Sequence, residues 1–492
     1  MTLIPLDIPP GARRLGTDLQ ASGRWRDVNL VRWRDGSLRP VGGWRNRVTG
    51  VVTDTPRAMH TWQDNSADRN MAVASYNQLV HVSASNVVSD ITPAGLVAGS
   101  ENAIITTGYG GGFFGFDAYG TVRPSTGDYS EATTWSLDNF GEYLVACSVA
   151  DGKLYEWQLN TASPAAQIAN SPEGCSGLVV TEERFVMALA PGGNPRKLQW
   201  CDRENNTVWT PAATNEAGDI ELQTSGKIMT GVRVKGQTLI LTDTDAHVAV
   251  YQGARIAYGV ERVGTSCGIV SREAVAVVDD GVMWMGENNF FLFTGTDVRQ
   301  IPCEVADYIF TDINRAQISK AWAVANAQHG EIWFFYPSGS SLDPDRYVSF
   351  DYQNQVWSFG IMPRTCGVDR GVFDYPMWVG SGASVKEHEV GFNYDTAQVY
   401  AETGPISLGN GDAVYTVNRL YPDEGFQGAV TATFKTRLMP NGAETSHGPY
   451  DLTSPTDVRF TGRQVRMRID GAILADWRVG VNRLDAFPRG RR

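Results

Sequence analysis

Glu331-Ile332-Trp333-Phe334-Phe335-Tyr336, Arg346-Tyr347-Val348-Ser349-Phe350-Asp351 and Val356-Trp357-Ser358 are three short runs that decide how this chain folds. Each is rich in aromatic and β-branched residues, and Gly, Pro, Asn and Asp fill the gaps between them. An unbroken apolar run of about six residues, bounded by turn residues, predicts a strand buried on both faces. Three in succession predict a small antiparallel sheet packed between two others.

The same pattern recurs outward from this stretch. It is found at Met71 to Val82, at Trp135 to Trp157 around the Asp151-Gly152 turn, and from Gly177 to Trp200. It returns at Val282 to Phe293 and, more weakly, at Met377-Trp378-Val379-Gly380. The units repeat in structure rather than in letters, at the irregular spacing of about 40 to 60 residues typical of propeller blades. In such a stack the tryptophans belong to the packing between blades. Short helical turns are expected only at Cys303–Phe310 and Arg315–Ile318.

The chain ends read differently. Near the start, Arg and Trp interleave through Arg24-Trp25-Arg26 and Leu30-Val31-Arg32-Trp33-Arg34, with an Asp35-Gly36 turn before Leu38-Arg39-Pro40. This predicts a hairpin. After loop chemistry at Gly404-Pro405 and Gly409-Asn410-Gly411 the strands lengthen and alternate, most clearly in Val465-Arg466-Met467-Arg468-Ile469. Strict alternation gives one buried and one basic face. The expected architecture is all-β, with an irregular β-propeller-like body over residues 57–395. A C-terminal β-sandwich platform covers 396–492, and an N-terminal arm and hairpin, 1–56, packs with it.

Composition supports a globular chain: 42% hydrophobic, 20% charged, with 14 Trp and 52 Gly among 492 residues. Charge is divided unevenly. Residues 1–57 carry +5 and residues 459–492 carry +6, while the middle carries −23 of a total of −12. A body so acidic lacks the basic face that phosphate neutralisation needs. The first nineteen residues hold Pro5, Pro9 and Pro10 and no apolar run, so neither a secretory signal nor membrane insertion is expected.

Motifs for chemistry are weak. Gly110-Gly111-Gly112-Phe113-Phe114-Gly115 matches a dinucleotide fingerprint by letter, but Phe116 to Pro124 offers no helix to receive a pyrophosphate. Gly110, Gly112, Phe113, Phe114, Gly115 and Tyr119 are better read as a flexible gate or contact loop. His388-Glu389 lacks the second histidine of a zinc protease, and the six cysteines are widely spaced with no CxxC. Buried free thiols are expected, and no catalytic residue, cofactor or metal. Asp279-Asp280 and Glu182-Glu183 sit beside turns, where solvated acids are ordinary, so a glycan-cleaving propeller is an alternative without a sialidase-type motif behind it. A propeller-type receptor-binding tail protein is the other alternative.

Gly23-Arg24-Trp25, Asn29 to Trp33 and Leu38-Arg39-Pro40-Val41-Gly42-Gly43-Trp44 resemble the opening of tail nozzle proteins of short-tailed bacteriophages, also called tail hub or packaged-DNA stabilisation proteins. Thr134-Trp135-Ser136-Leu137-Asp138-Asn139-Phe140-Gly141, Glu387-His388-Glu389-Val390-Gly391 and the ending from Asp476-Trp477-Arg478-Val479-Gly480 to Gly490-Arg491-Arg492 are similar to stretches of the same group. The resemblance implies a structural homo-oligomer, a hexameric ring below the portal and its adaptor protein. Such a ring holds tail fibres or spikes and passes viral DNA without specific binding. It implies a place in the virion tail after assembly in the host cytoplasm. Arginine and tryptophan dominate protein interfaces. Arg24, Trp25, Arg32, Trp33, Arg34, Arg39 and Trp44, with Arg466, Arg468, Arg478, Arg489, Arg491 and Arg492, are therefore the expected assembly interface.

Overall fold

A computed structural model describes residues 2–105, 129–253, 256–279, 281–409, 411–425 and 428–490. Strands dominate it. Seven four-stranded antiparallel sheets among these residues have their first strands side by side in a closed circle, the last beside the first. This is a seven-bladed propeller.

The blades begin at Ala58–Gln63, Trp135–Phe140, Gly177–Val180, Ile228–Val234, Val275–Val278, Trp322–Asn326 and Cys366–Val368. These are the inner strands. The middle strands are buried throughout: Val186–Leu189, Gly281–Met285, Glu331–Tyr336 and Met377–Gly380 have no exposed residue. Blades stacked face to face cover both sides of a middle strand, which is why these runs are apolar without alternation. The apolar clusters lie between blades. One joins Met71, Val73, Val80 and Val82 of the first blade to Met377, Val379 and Val385 of the seventh. All 14 tryptophans are buried, none more than 6% exposed.

The fourth blade, Ile228–Val234 through Ala257–Thr265, was not expected. It carries no tryptophan, whereas every other blade holds at least one. The seventh blade corrects the expected boundary at residue 56. Its inner three strands are Cys366–Val368, Met377–Gly380 and Ser384–His388, but its outer strand is Trp44–Val48 from the start of the chain. The ring is closed by pairing residues some 340 positions apart, as in Arg45 to Glu387, separated by 342.

Apart from the hairpin Val31–Arg34/Ser37–Pro40 and the short pair Ile104–Ile105/Tyr129–Ser130, the remaining strands form a two-sheet terminal module drawn from both ends of the chain. One sheet orders Thr2–Leu6, Asn482–Gly490, Val414–Tyr421 and Thr456–Gly462. The other orders Trp25–Asn29, Tyr400–Thr403, Gln464–Gly471, Val430–Arg437 and Thr445–Asp451, with Ile406–Ser407 beside Gln464–Gly471. Val465, Met467 and Ile469 point into the sandwich, as their alternation predicts. The module leans on the sixth blade: Ala12 N–H donates to the Trp357 carbonyl at 2.8 Å, and Ile361 N–H to Asn29 Oδ1 at 2.8 Å. The helix Ala306–Asp312 and the 3-10 turn Arg315–Lys320 connect the fifth and sixth blades. Among the described residues no helix is long and apolar enough to cross a membrane.

Candidate functional site: the junction of the chain ends with the propeller

Three of the stretches that carry the resemblance, around residues 29–44, 387–391 and 476–480, meet in space, while Thr134–Gly141 covers the inner strand of the second blade. Gly42 N–H donates to Glu389 Oε2 at 2.9 Å, and Gly43 exchanges backbone bonds with Gly391 and Val390. A Cβ on Gly42 would strike Glu389, and one on Gly43 would strike the backbone of Phe392 and Asn393. The Gly-Gly pair is required by this close approach rather than by a turn. Trp44 then packs beside His388, with ring centres 5.4 Å apart, and His388 stacks on Trp378 at 4.1 Å. The other end of the chain joins through Leu38 and Val479, which exchange backbone hydrogen bonds of 2.9 and 3.0 Å.

Arg32 is the electrostatic centre of this junction. It is 7% exposed, and its guanidinium lies 2.9 Å from Glu331 and 2.5 Å from Glu389. Burial opposes its charge, but the two carboxylates overcome that and raise its pKa above the ordinary arginine value. The carboxylates divide: burial raises Glu331, whereas Arg32 and His329 hold Glu389 well below the usual range despite burial. Asn326 also donates to Glu389, at 2.9 Å. One arginine thus ties the hairpin to the sixth blade and to the segment leaving the seventh. Neighbouring Arg364 donates to His388 Nε2 at 2.9 Å and lies over Trp44; burial lowers its pKa to about 10. Burial and the charge of Arg364 keep His388 neutral, well below the usual histidine value.

The expected assembly residues therefore split. Trp25, Arg32, Trp33 and Trp44 are inside the chain and offer nothing to a neighbouring subunit. Arg24 pairs with Glu304 at 2.6 Å, and Arg34 donates to the His329 carbonyl. Arg39 reaches Asp35 at 3.6 Å. Arg466 pairs with Asp18 and Glu444, and Arg468 pairs with Asp470 while stacking on Tyr400 at 3.7 Å. The physical reason is proximity: an arginine on a strand bonded to another part of its own chain meets a carboxylate there first. Arg478 is exposed, with Asp476 at 3.3 Å, and Arg489 is exposed at the end of its strand. Arg491 and Arg492 lie outside the described residues, as do Gly110, Gly112, Phe113, Phe114, Gly115 and Tyr119 of the expected gate loop.

A second polar feature was not foreseen. Arg57, Lys227, Arg272, Lys320 and Arg364 stand one to three residues before the inner strands of five blades. Inner strands run the same way, as the parallel bridge between Glu273 and Trp322 shows, so these cations gather at one end of the propeller axis. Glu131 spans Lys227 and Arg272 at 2.6 and 2.7 Å, and its pKa falls to about 2 because these cations outweigh its burial. Asp343 likewise spans Arg57 and Lys320 at 2.8 and 3.2 Å. The segment leaving the first blade is bonded here too: Ala103 and Gln317 exchange two hydrogen bonds of 3.0 Å. Aligning the blade starts would have exposed this recurring cation. Inside the axis a cavity of about 410 Å³ is lined by residues of both signs, including Asp138, Arg233 and Glu273. Among the described residues no group of three His, Cys, Asp or Glu could hold a metal ion, and all six cysteines are free.

No family model matches the chain, and no curated protein matches it. Among solved structures, a virginiamycin B lyase from Staphylococcus aureus is 7% identical over 70% of this chain and 98% of its own, with a TM-score of 0.42. BamB from Moraxella catarrhalis is 9% identical over 79% and 98%, with a TM-score of 0.37. A fungal alcohol oxidase in complex with copper is 12% identical over 100% and 99%, again with a TM-score of 0.37. These likenesses carry no argument about activity, and the chain's own strand pairing makes it an all-β, propeller-like protein.

Proposed function

We propose that the chain is a structural, non-enzymatic tail nozzle subunit of a short-tailed bacteriophage. In this reading a ring of copies, six by the resemblance, sits below the portal adaptor in the virion tail. It carries fibres or spikes, retains packaged DNA and passes it during ejection. One observation carries the reading. Residues 29–44, 387–391 and 476–480, three of the stretches on which the resemblance rests, form one junction although they are scattered along the sequence, whereas Thr134–Gly141 lies apart on the second blade. Short stretches that match by chance have no reason to meet.

The junction is suited to a load-bearing part, since it locks the propeller to the module by buried ion pairs and backbone bonds. Burial of every tryptophan leaves no exposed indole for stacking on a glycan. The test is electron microscopy of purified protein and of virions, with the protein located by labelled antibody. A ring at the tail is expected. A particle that stays monomeric and is absent from the tail would overturn the reading.

A further inference from the structure

Lys320 is buried for a local reason. It ends the 3-10 turn Arg315–Lys320 that feeds the inner strand of the sixth blade, and Gln317, Ser319 and Lys320 are the buried residues of that turn. The Gln317 amide holds both the N–H and the carbonyl of Ala103 at 3.0 Å, across 214 positions of sequence. This clamp sets the preceding residue, Asn102, against the lysine. Lys320 Nζ lies 2.6 Å from Asn102 Oδ1, 2.9 Å from the Leu342 carbonyl and 3.2 Å from Asp343 Oδ1. Its side chain is 0% exposed, whereas those of Lys227, Lys386 and Lys435, which face carboxylates, keep contact with water.

The arrangement holds the parts of an amide exchange. A nitrogen 2.6 Å from a side-chain amide oxygen is about 3–3.5 Å from the carbon of that amide, which is attack distance. Burial, reinforced by the charge of Arg57, lowers the Lys320 pKa to about 8 against the pull of Asp343, so free amine is present near neutral pH. Asp343 is held in place by Arg57, which donates to it at 2.8 Å, and can take the proton the lysine sheds. Asn102 Nδ2 donates to no acceptor among the described residues, so no hydrogen bond retains it as a leaving group.

We propose that Lys320 and Asn102 join in an isopeptide bond. The lysine nitrogen attacks the Asn102 side-chain carbonyl carbon. Asp343 accepts a proton from that nitrogen and returns it to Nδ2, and the bond from Nδ2 to Cγ breaks. One C–N bond forms, one is lost, and ammonia leaves; no oxidant, reductant or cofactor is consumed. Exclusion of water from the lysine keeps hydrolysis from competing. The bond staples the segment leaving the first blade to the start of the sixth, joining residues 218 positions apart. It goes beyond the nozzle reading and does not depend on it.

Mass spectrometry of the full chain tests the bond. The protein is held at about pH 8, where half of the lysine is free amine, then unfolded and digested. The intact chain should be lighter than its sequence by one ammonia. The digest should contain a branched peptide joining the segments of Asn102 and Lys320. A succinimide at any asparagine has the same mass loss, so the branched peptide decides. Lys320→Arg keeps the cation and should give only linear peptides. Asp343→Asn should slow branching by about a hundredfold or more, read as branched fraction against time after refolding. A wild-type chain at its full sequence mass, or an ammonia loss that maps elsewhere, would overturn the proposal. Branching as fast in Asp343→Asn as in wild type would overturn the part given to the carboxylate.

Discussion

The first six blades and the seventh are the same sheet made in two ways. Each of the first six is a contiguous stretch that turns back on itself three times. The seventh takes three strands from residues 366–388 and its fourth from residues 44–48. A contiguous blade needs only local turns and apolar runs. The composite blade needs the chain start to be delivered to it, and the delivery is made by Arg32, Gly42, Gly43 and Trp44. Specific chemistry has accumulated where closure is non-local.

The largest effect should come from removing that delivery. A chain lacking residues 1–48 loses the outer strand of the seventh blade and two strands of the terminal module. It should give no cooperative thermal transition, and a native-like transition would show that six and three-quarter blades suffice. Next, Arg32→Ala leaves Glu331 and Glu389 buried without their cation and should lower stability by about 3–5 kcal/mol, read by denaturant unfolding. A loss under about 1 kcal/mol would mean that water or rearrangement replaces the guanidinium.

The third effect is a divergence with pH. The folded pKa of His388 lies below its unfolded value of 6.5, so below that pH the unfolded chain binds the extra proton. The seventh blade should therefore lose stability as pH falls from about 6.5. Glu273, before the fifth blade, is raised by burial from 4.5 to about 7, so between those values the folded state holds the extra proton. Its contribution should improve over the same acidification. Amide exchange, corrected for intrinsic rate, should rise at 366–388 relative to 275–301 between pH 7.5 and 5.5. Parallel behaviour of the two blades would break the comparison. The smallest effect belongs to Arg478→Ala, which removes an exposed ion pair and should change stability by less than about 0.5 kcal/mol in the same unfolding assay.

What the residues disclosed follows the same division. Blades were legible where a local apolar run, a turn and a closing tryptophan coincide, as from Glu331 to Ser358. The fourth blade escaped because Ile228 to Thr265 holds no tryptophan. Arg32 and Trp33 were legible as important residues but were placed on the outside, because enrichment at interfaces does not distinguish an interface between chains from one within a chain. His388-Glu389 was legible only as a pair lacking the second histidine of a zinc site, since nothing in its neighbourhood announces an arginine 357 positions away from Glu389. The cations before the inner strands were readable in principle, but only after the blade starts had been aligned.

The composite blade also sets a timetable. Trp44–Val48 leaves the ribosome early and must wait for about 340 further residues before its partner Ser384–His388 exists. At ordinary rates of synthesis that wait is on the order of twenty to seventy seconds. A bare strand is a hazard for that long, because its unpaired edge can recruit another chain. The sequence Trp44-Arg45-Asn46-Arg47-Val48 is guarded against this, since its two arginines make stacking against a like copy repulsive. The same arginines later bond Glu387, at 2.5 and 2.9 Å, so the charges that keep the nascent strand solitary become the clasp that ends its isolation.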